Sequence, residues 1–247
     1  MKIKILHAYK DVMNLYGEYA NITLLKSHLR DQGVEVIVDE INTIKDVNSL
    51  SDYDFIYIGA GTEQRQKLAL TDLMTRKDEL IAHINSGAIV LFTGNACELL
   101  GKSIRDASGT EYEALGVGDF TTVETDTKRT LADCYGRMNG IDEAIVGFIN
   151  RASITNNNIA TTFDMNLLAG DSLSIQKEGF CYKNTYGTHL IGPLLVKNPS
   201  LLDFFVKKIV QRQDADFALK DIEYPHEINA YKFTSENLYR HLIKLKQ

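Results

Sequence analysis

Residues 88–101 read AIVLFTGNACELLG, and this stretch decides the fold. Ala88, Ile89, Val90, Leu91 and Phe92 form a continuous apolar run of strand length, the pattern of a strand covered on both faces in a parallel sheet. Thr93, Gly94 and Asn95 make a sharp turn. A short helix follows through Leu100 and is capped by Gly101, with Leu99 and Leu100 on its core side. Working outward, residues 2–7 (KIKILH) read as a first strand. Residues 21–30 read as a helix, with Ile22, Leu25 and Leu29 at helical spacing before Gly33 stops it. Residues 34–38 alternate as a second strand. Residues 54–58 (DFIYI) form a third that enters the turn of Gly59, Ala60 and Gly61, and residues 69–85 read as one long helix ended by Ser86 and Gly87. Strands alternating with helices predict a parallel sheet with crossover helices, an α/β protein.

From about residue 116 to 195 the pattern changes to short strands separated by polar turns such as Asn156, Asn157 and Asn158. This second half is predicted to be richer in β-structure. Residues 200–211 then carry Leu201, Phe204, Phe205 and Ile209 on one face of an amphipathic helix. Pro, Gly and Ser never cluster as in flexible connectors, so residues 1–247 are expected to form a single domain with C-terminal helices from about residue 200.

The chain has 247 residues, 44% of them apolar, enough to bury a sizeable core without staples. Cys97, Cys134 and Cys181 are irregularly spaced, which suggests neither a disulfide framework nor a zinc cage. No signal-peptide pattern and no apolar run long enough to span a bilayer is evident, so a cytoplasmic protein is expected. Net charge is −6 with both signs mixed along the chain, which argues against a nucleic-acid footprint. His7, His28, His83, His226 and His241 are scattered without ligand spacing, so no metal site and no cofactor is expected. No GxxxxGK[ST] pattern occurs, and any ATP chemistry would belong to a partner.

Strand, sharp turn and helix is also the geometry of a nucleophile elbow, where the apex side chain is thrust out and the next backbone N–H faces a developing oxyanion. The apex here is Gly94, which offers no nucleophile. Taken alone, the segment reads equally as a tight βα turn of any α/β protein. Further stretches make it more specific: GTEYEALGVGDF from Gly109, DVMNLYGEYANI from Asp11, DFIYIGAGTEQRQ from Asp54, VGFIN from Val146 and YKNTYGTHLIGPLLVKNP from Tyr182. Together they resemble, over nearly the whole chain, the glutamine amidotransferase subunit of lipid II isoglutaminyl synthase (GatD; CobB/CobQ type). That resemblance implies a class I glutamine amidotransferase-like fold, a flavodoxin-like open and mostly parallel sheet flanked by helices. It also implies a Mur-ligase-like (MurT) synthetase as partner and a place in peptidoglycan lipid II amidation. In the family a Cys thiolate attacks the glutamine side-chain amide, a His serves as base, and backbone amides hold the oxyanion.

The catalytic roles do not carry over. Where the family reads CGGYQxLG, this chain reads GNACELLG, so Gly94 stands at the nucleophile position and Glu98 replaces a pocket glutamine. In GTHLIGPLL, Ile191 stands where the family has its His. Ala60 replaces the middle glycine of the turn Gly59, Ala60, Gly61, and is poorly suited to positive φ. The family's FENHGG reads Phe148, Ile149, Asn150, Arg151, Ala152 and Ser153; Asn150 is kept. The resemblance therefore implies a binding cleft built from Gly59, Ala60, Gly61, Asn95, Glu98, Asn150 and Arg129, the last either holding an anionic ligand or lying solvated on the surface. The charge of Glu98 needs compensation.

Three readings stay open. The chain is a subunit without glutaminase activity; or an active glutaminase using a displaced Cys97 and His189 pair, one helical turn and two strand residues from the family positions; or a stand-alone protein binding glutamine or a related small molecule. Tyr16, Tyr19 and Tyr186 are the candidate aromatic anchors for a partner.

Overall fold

The computed structural model describes residues 1–127, 129–157 and 162–247. Its centre is a six-stranded sheet. The parallel strands β1 (Lys2–Ala8), β2 (Glu35–Ile41), β3 (Phe55–Ile58) and β4 (Ile89–Thr93) are joined through the helices α1 (Tyr19–Asp31), α2 (Glu63–Met74) and α3 (Lys77–Asn85). Because side chains alternate along a strand, each central strand feeds two cores. Ile3, Ile5, Phe55, Tyr57, Ile89 and Leu91 face one side and pack with α1 residues such as Ile22, Leu25 and Leu29. Leu6, Ile56, Ile58, Val90 and Phe92 face the other and meet Leu70, Leu73, Leu80 and Ile84 of α2 and α3.

The helix expected over 69–85 is two helices. Thr75 and Arg76 break it, with Arg76 at φ −128° and ψ 27°. The physical cause is the Arg76 guanidinium, which donates to the carbonyls of Ile44, Val47 and Asn48 at 3.2, 2.6 and 3.0 Å and so pulls the backbone off the helical path. After β4, the short helix expected through Leu100 is a 3₁₀ segment, Gly94–Leu100.

The second half is β-rich. Strands β5 (Ser103–Arg105), β6 (Glu111–Glu113), β7 (Phe120–Glu124), β8 (Thr130–Met138), β9 (Ile145–Arg151), β10 (Ser153–Asn157), β11 (Phe163–Ala169) and β12 (Ser172–Glu178) follow in turn. They build a four-stranded sheet in the order β10, β7, β5, β6 and most of a five-stranded antiparallel sheet. Asn156 and Asn157, expected in a turn, close β10 opposite β7; Asn158 lies outside the described residues. The chain returns to the central sheet with β13 (Phe180–Tyr182) and β14 (Thr185–Thr188), the latter parallel to β4. It then adds β15 (Leu190–Ile191) to β9 in the antiparallel sheet, so residues 188–190 cross between sheets.

Helices α4 (Leu194–Lys197), α5 (Pro199–Gln213) and α6 (Pro225–Leu245) complete the chain. Leu201, Phe205 and Ile209 of α5 are buried in the core that also takes Ala132, Met165 and Leu167 of the antiparallel sheet. Tyr186 belongs to this core, 7% exposed and edge-on to Phe204 and Phe205. It is therefore not available as an interface anchor, because its strand is covered by α5. Among the described residues no helix is long and apolar enough to cross a membrane.

Asn198 fixes the antiparallel sheet to α4. Its Oδ1 accepts from the Val146 N–H at 2.8 Å, and its Nδ2 donates to the carbonyls of Val146 and Leu194, both at 2.8 Å. The side chain is 1% exposed, so its removal orphans buried backbone groups. Asn198→Ala is expected to destabilise by roughly 2–4 kcal/mol in urea titration; a change under ~0.5 kcal/mol would show that water replaces the side chain.

Candidate functional site

Ligands of open α/β sheets bind outside the carboxyl ends of the strands, and here those ends converge on one cleft. The turn after β3 contributes Ala60 and Gly61; the elbow after β4 contributes Gly94, Asn95 and Glu98; the segment after β14 contributes Ile191. Tyr16 comes from the loop before α1, and Arg129, Asn150, Arg151 and Ser153 come from the β-rich half. The cavity holds about 160 Å³.

Gly94 has φ +60°, a left-handed backbone that costs other L-residues roughly 1–2 kcal/mol. Glycine relieves that strain, and nothing larger fits. An ideal Cβ on Gly94 would stand 2.4 Å from the Cβ of Ala60 and 3.0 Å from Cγ2 of Ile191. Ala60 therefore acts by bulk. The positive φ for which it is ill suited does not arise, because the non-glycine residues with positive φ among those described are Tyr9 and Lys183. Gly59 and Gly61 pack against Met13 and Glu18 so closely that a Cβ on either would clash with that segment.

Asn95 reaches across to the same turn. Its Oδ1 accepts from the Gly61 N–H at 3.0 Å and its Nδ2 donates to the Gly61 carbonyl at 2.9 Å. Arg129 lies at the cleft rim, donating to Asn150 Oδ1 at 2.9 Å and pairing with Glu63 at 2.6 Å; Asn150 in turn donates to the Tyr16 hydroxyl at 2.9 Å. Arg129 is exposed and already paired, a rim clamp that joins the two halves of the chain.

Glu98 is 2% exposed, and its charge is compensated. Oε2 accepts from Gln66 Nε2 at 2.7 Å, Oε1 accepts from Ser153, and Nε2 of His189 stands 3.5 Å away, an ion-pair distance rather than a formed hydrogen bond. On its other side His189 Nδ1 lies 3.1 Å from Glu178 Oε1, which also accepts the His189 backbone N–H at 2.7 Å; Glu178 Oε2 accepts from Thr188 at 2.6 Å. Burial alone would lower the His189 pKa, but the two carboxylates outweigh it and hold the ring above its ordinary value, opposed by Arg151. Burial would raise Glu98 and Glu178, and His189 with the other donors brings both below the ordinary value.

Cys97 and His189 both line a second, smaller cavity of about 100 Å³ together with Arg151 and Glu178. Cys97 is 3% exposed, packed against Gly187. Burial, and then the charges of Glu178 and Glu98, push its thiol well above the usual range, opposite to what a nucleophile needs.

Sequence reasoning missed Glu18 and Glu178. Glu18 is fully buried beneath the elbow, with Oε2 accepting from Tyr57, from Thr93 Oγ1 at 2.7 Å and from Asn21 Nδ2 at 3.1 Å. An acid inside an otherwise amphipathic helix start, in NLYGEYANI, was the available signal.

An elbow at the carboxyl edge of this sheet, framed by the preceding strand's turn and closed by a second β-rich half, defines the class I glutamine amidotransferase architecture. The same fold is seen in PurLQS from Thermotoga maritima (TM-score 0.51, 11% identity, covering 87% of this chain and all of that one). It is seen again in a glutamine amidotransferase from Thermotoga maritima (TM-score 0.50, 10% identity, 98% and 96% covered). The chain belongs to the CobB/CobQ-like glutamine amidotransferase family, whose profile matches residues 4–199. It is 32% identical over 229 residues, 93% of either chain, to the lipid II isoglutaminyl synthase (glutamine-hydrolyzing) subunit GatD of Staphylococcus aureus (strain N315). To the subunit of the same name in Streptococcus pneumoniae (strain ATCC BAA-255 / R6) it is 29% identical over 202 residues, 81% of this chain and 77% of that one.

The buried cluster makes stability depend on pH in two limbs. His189, raised when folded, contributes stability that is fully present below its unfolded value of about 6.5 and is lost as pH rises through the folded value. Glu98 and Glu178, lowered when folded, contribute stability present above about pH 4.5 and lost as pH falls through their folded values. His189→Gln leaves two buried carboxylates without their cation and is expected to cost roughly 3–5 kcal/mol at pH 6. It should also flatten the loss of melting temperature as pH rises above about 6.5. Adding Glu98→Gln should recover part of the loss. Additive effects in that double-mutant cycle would show that the two side chains do not interact.

Proposed function

We propose that this chain is a GatD-like subunit of a lipid II amidating system that has lost glutaminase activity while keeping the surface that meets a Mur-ligase-like synthetase. The observation that carries the reading is steric and chemical at once. The site of the attacking atom is filled by the Ala60 Cβ, 2.4 Å from where any Gly94 side chain would begin, and Ile191 supplies no proton acceptor beside it. A thiolate and a base are the two parts that amide hydrolysis by this family cannot do without. The similarity to the two GatD subunits supports the pathway, and the core shared between the central and antiparallel sheets supports one domain over residues 1–247. The chain would act in the cytoplasm.

The displaced pair is the weaker reading. Cys97 is sealed against Gly187 with its thiol held protonated, and His189 is occupied between Glu98 and Glu178. Neither group faces the Asn95 and Gly61 amides that frame the elbow.

The purified chain, alone or with its synthetase, is expected to release no ammonia from glutamine above the uncatalysed background in a coupled assay. Sustained release abolished by Cys97→Ser would overturn the reading. Gly94→Cys alone should remain inactive and lose stability, because the new side chain meets Ala60 and has no base. The combination Gly94→Cys, Ile191→His and Ala60→Gly restores an attacking group, a base and room for them, and is expected to yield at most a trace of turnover.

The partner surface is expected around the cleft mouth. Leu15 and Tyr19 are 48% and 51% exposed there, beside the cleft-lining Tyr16. A stable interface of this kind buries about 1,600 Å² with aromatic anchors near its centre. Co-expression with a Mur-ligase-like synthetase should give one peak in size exclusion, weakened by Tyr19→Ala. The complex should amidate its substrate with ammonium and not with glutamine. Separate elution at micromolar concentration would count against the subunit reading and favour a stand-alone binder.

A further inference from the structure

At an acyl-transfer elbow the substrate carbonyl is received between the N–H of the residue after the apex and an N–H of the neighbouring loop. In this chain the residue after the apex is Asn95 and the neighbouring loop is Gly59, Ala60 and Gly61. The Asn95 side chain spans that gap with two hydrogen bonds to one residue, Oδ1 accepting from the Gly61 N–H at 3.0 Å and Nδ2 donating to the Gly61 carbonyl at 2.9 Å. A ligand carboxamide, with one acceptor and one donor, could make the same pair of bonds to the Gly61 N–H and carbonyl. The Asn95 backbone is fixed from behind, its carbonyl accepting from Nε2 of the fully buried Gln66 at 2.6 Å, and the same Nε2 donates to Glu98 Oε2 at 2.7 Å. Asn95 is therefore held in place by the same Gln66 amide that answers the buried Glu98 charge.

We infer that Asn95 is an internal occupant of the carboxamide site, closing the cleft to glutamine-type side chains with the chain's own amide. The inference rests on the reading of the chain as a non-hydrolysing family member and adds to it. The loss of chemistry at Gly94 is accompanied by exclusion of the carboxamide ligand itself. The Gly61 N–H and carbonyl are thus the occupied inner site, while the cavity beside them stays open to Tyr16, Asn150, Arg129 and Arg151 and also to Gly94 and Ile191. A glutamine molecule entering the inner site must displace two hydrogen bonds, and each is worth enough that removing the competitor should tighten binding on the order of 10- to 100-fold.

The test is a calorimetric or NMR titration of glutamine into the folded full-length chain and its Asn95→Gly and Asn95→Ala variants, with folding checked by circular dichroism. Both variants should bind glutamine at least about tenfold more tightly than the unaltered chain. 2-Aminobutyrate, which has no carboxamide, should gain nothing. Equal glutamine binding by all three proteins overturns the inference, as does failure of both folded variants to bind. A gain shared by 2-aminobutyrate or confined to Asn95→Gly overturns it too, since backbone freedom rather than the amide would then be the cause. Ammonia release by the unaltered chain is read separately: its appearance sinks the non-hydrolysing reading, whereas an unchanged affinity without ammonia release sinks only the role of Asn95.

Discussion

The burial of the Glu98 carboxylate is the constraint around which the site is organised. A lone buried carboxylate is costly enough that it would take up a proton or force a rearrangement. Here one residue of the elbow segment draws partners from every layer: Gln66 from α2, Ser153 from β10, and His189 from the crossing between β14 and β15. His189 then enlists Glu178 from the end of β12. The cluster thus ties the four-stranded, five-stranded and six-stranded sheets at one point. Removing one member strands the others, so the charge acts more as a lock on the arrangement of layers than as a net source of stability.

That lock decides what the elbow can do. With Gln66 bonded both to Glu98 and to the Asn95 carbonyl, the first turn after β4 is fixed, and the Asn95 side chain is aimed at Gly61. The adjoining Ala60 fills the space over Gly94. A single methyl group there, in a left-handed turn, is sufficient to exclude a side chain of any kind. The residues at positions 60, 94, 95, 98 and 191 all line one cleft, where Asn95 and Glu98 find their hydrogen-bond partners within the chain. Glycine at the apex also removes the backbone strain a nucleophile elbow must otherwise carry.

The same packing explains the cysteines. Burial makes a thiolate expensive, and Glu178 and Glu98 raise the thiol further against the opposing pull of Arg151, so a position one turn beyond the elbow does not by itself activate Cys97. Proximity in sequence to a catalytic position is not proximity to its electrostatics. The amides that would stabilise an oxyanion belong to the turn itself and stay behind when the thiol moves.

How much was legible in the sequence follows from the range of the interactions. Strands over 54–58 and 88–92 could be read as largely continuous apolar runs because both sheet faces are covered, those over 2–7 and 34–38 could be read from alternation, and the identities at Gly94 and Ile191 could be read because the flanking residues hold a gapless register. The split of the helix over 69–85 could not, since its cause is Arg76 binding carbonyls about thirty residues upstream. Nor could the burial of Tyr186 beneath α5. For the site, sequence alone determined that positions 94 and 191 hold glycine and isoleucine, side chains that supply neither a nucleophile nor a proton acceptor. Only the tertiary structure decided that Glu98 is answered by His189 and Glu178, that Ala60 acts by volume, and that Asn95 takes up the Gly61 amide. Those are distances between the ends of different strands, and no local pattern along the chain encodes them.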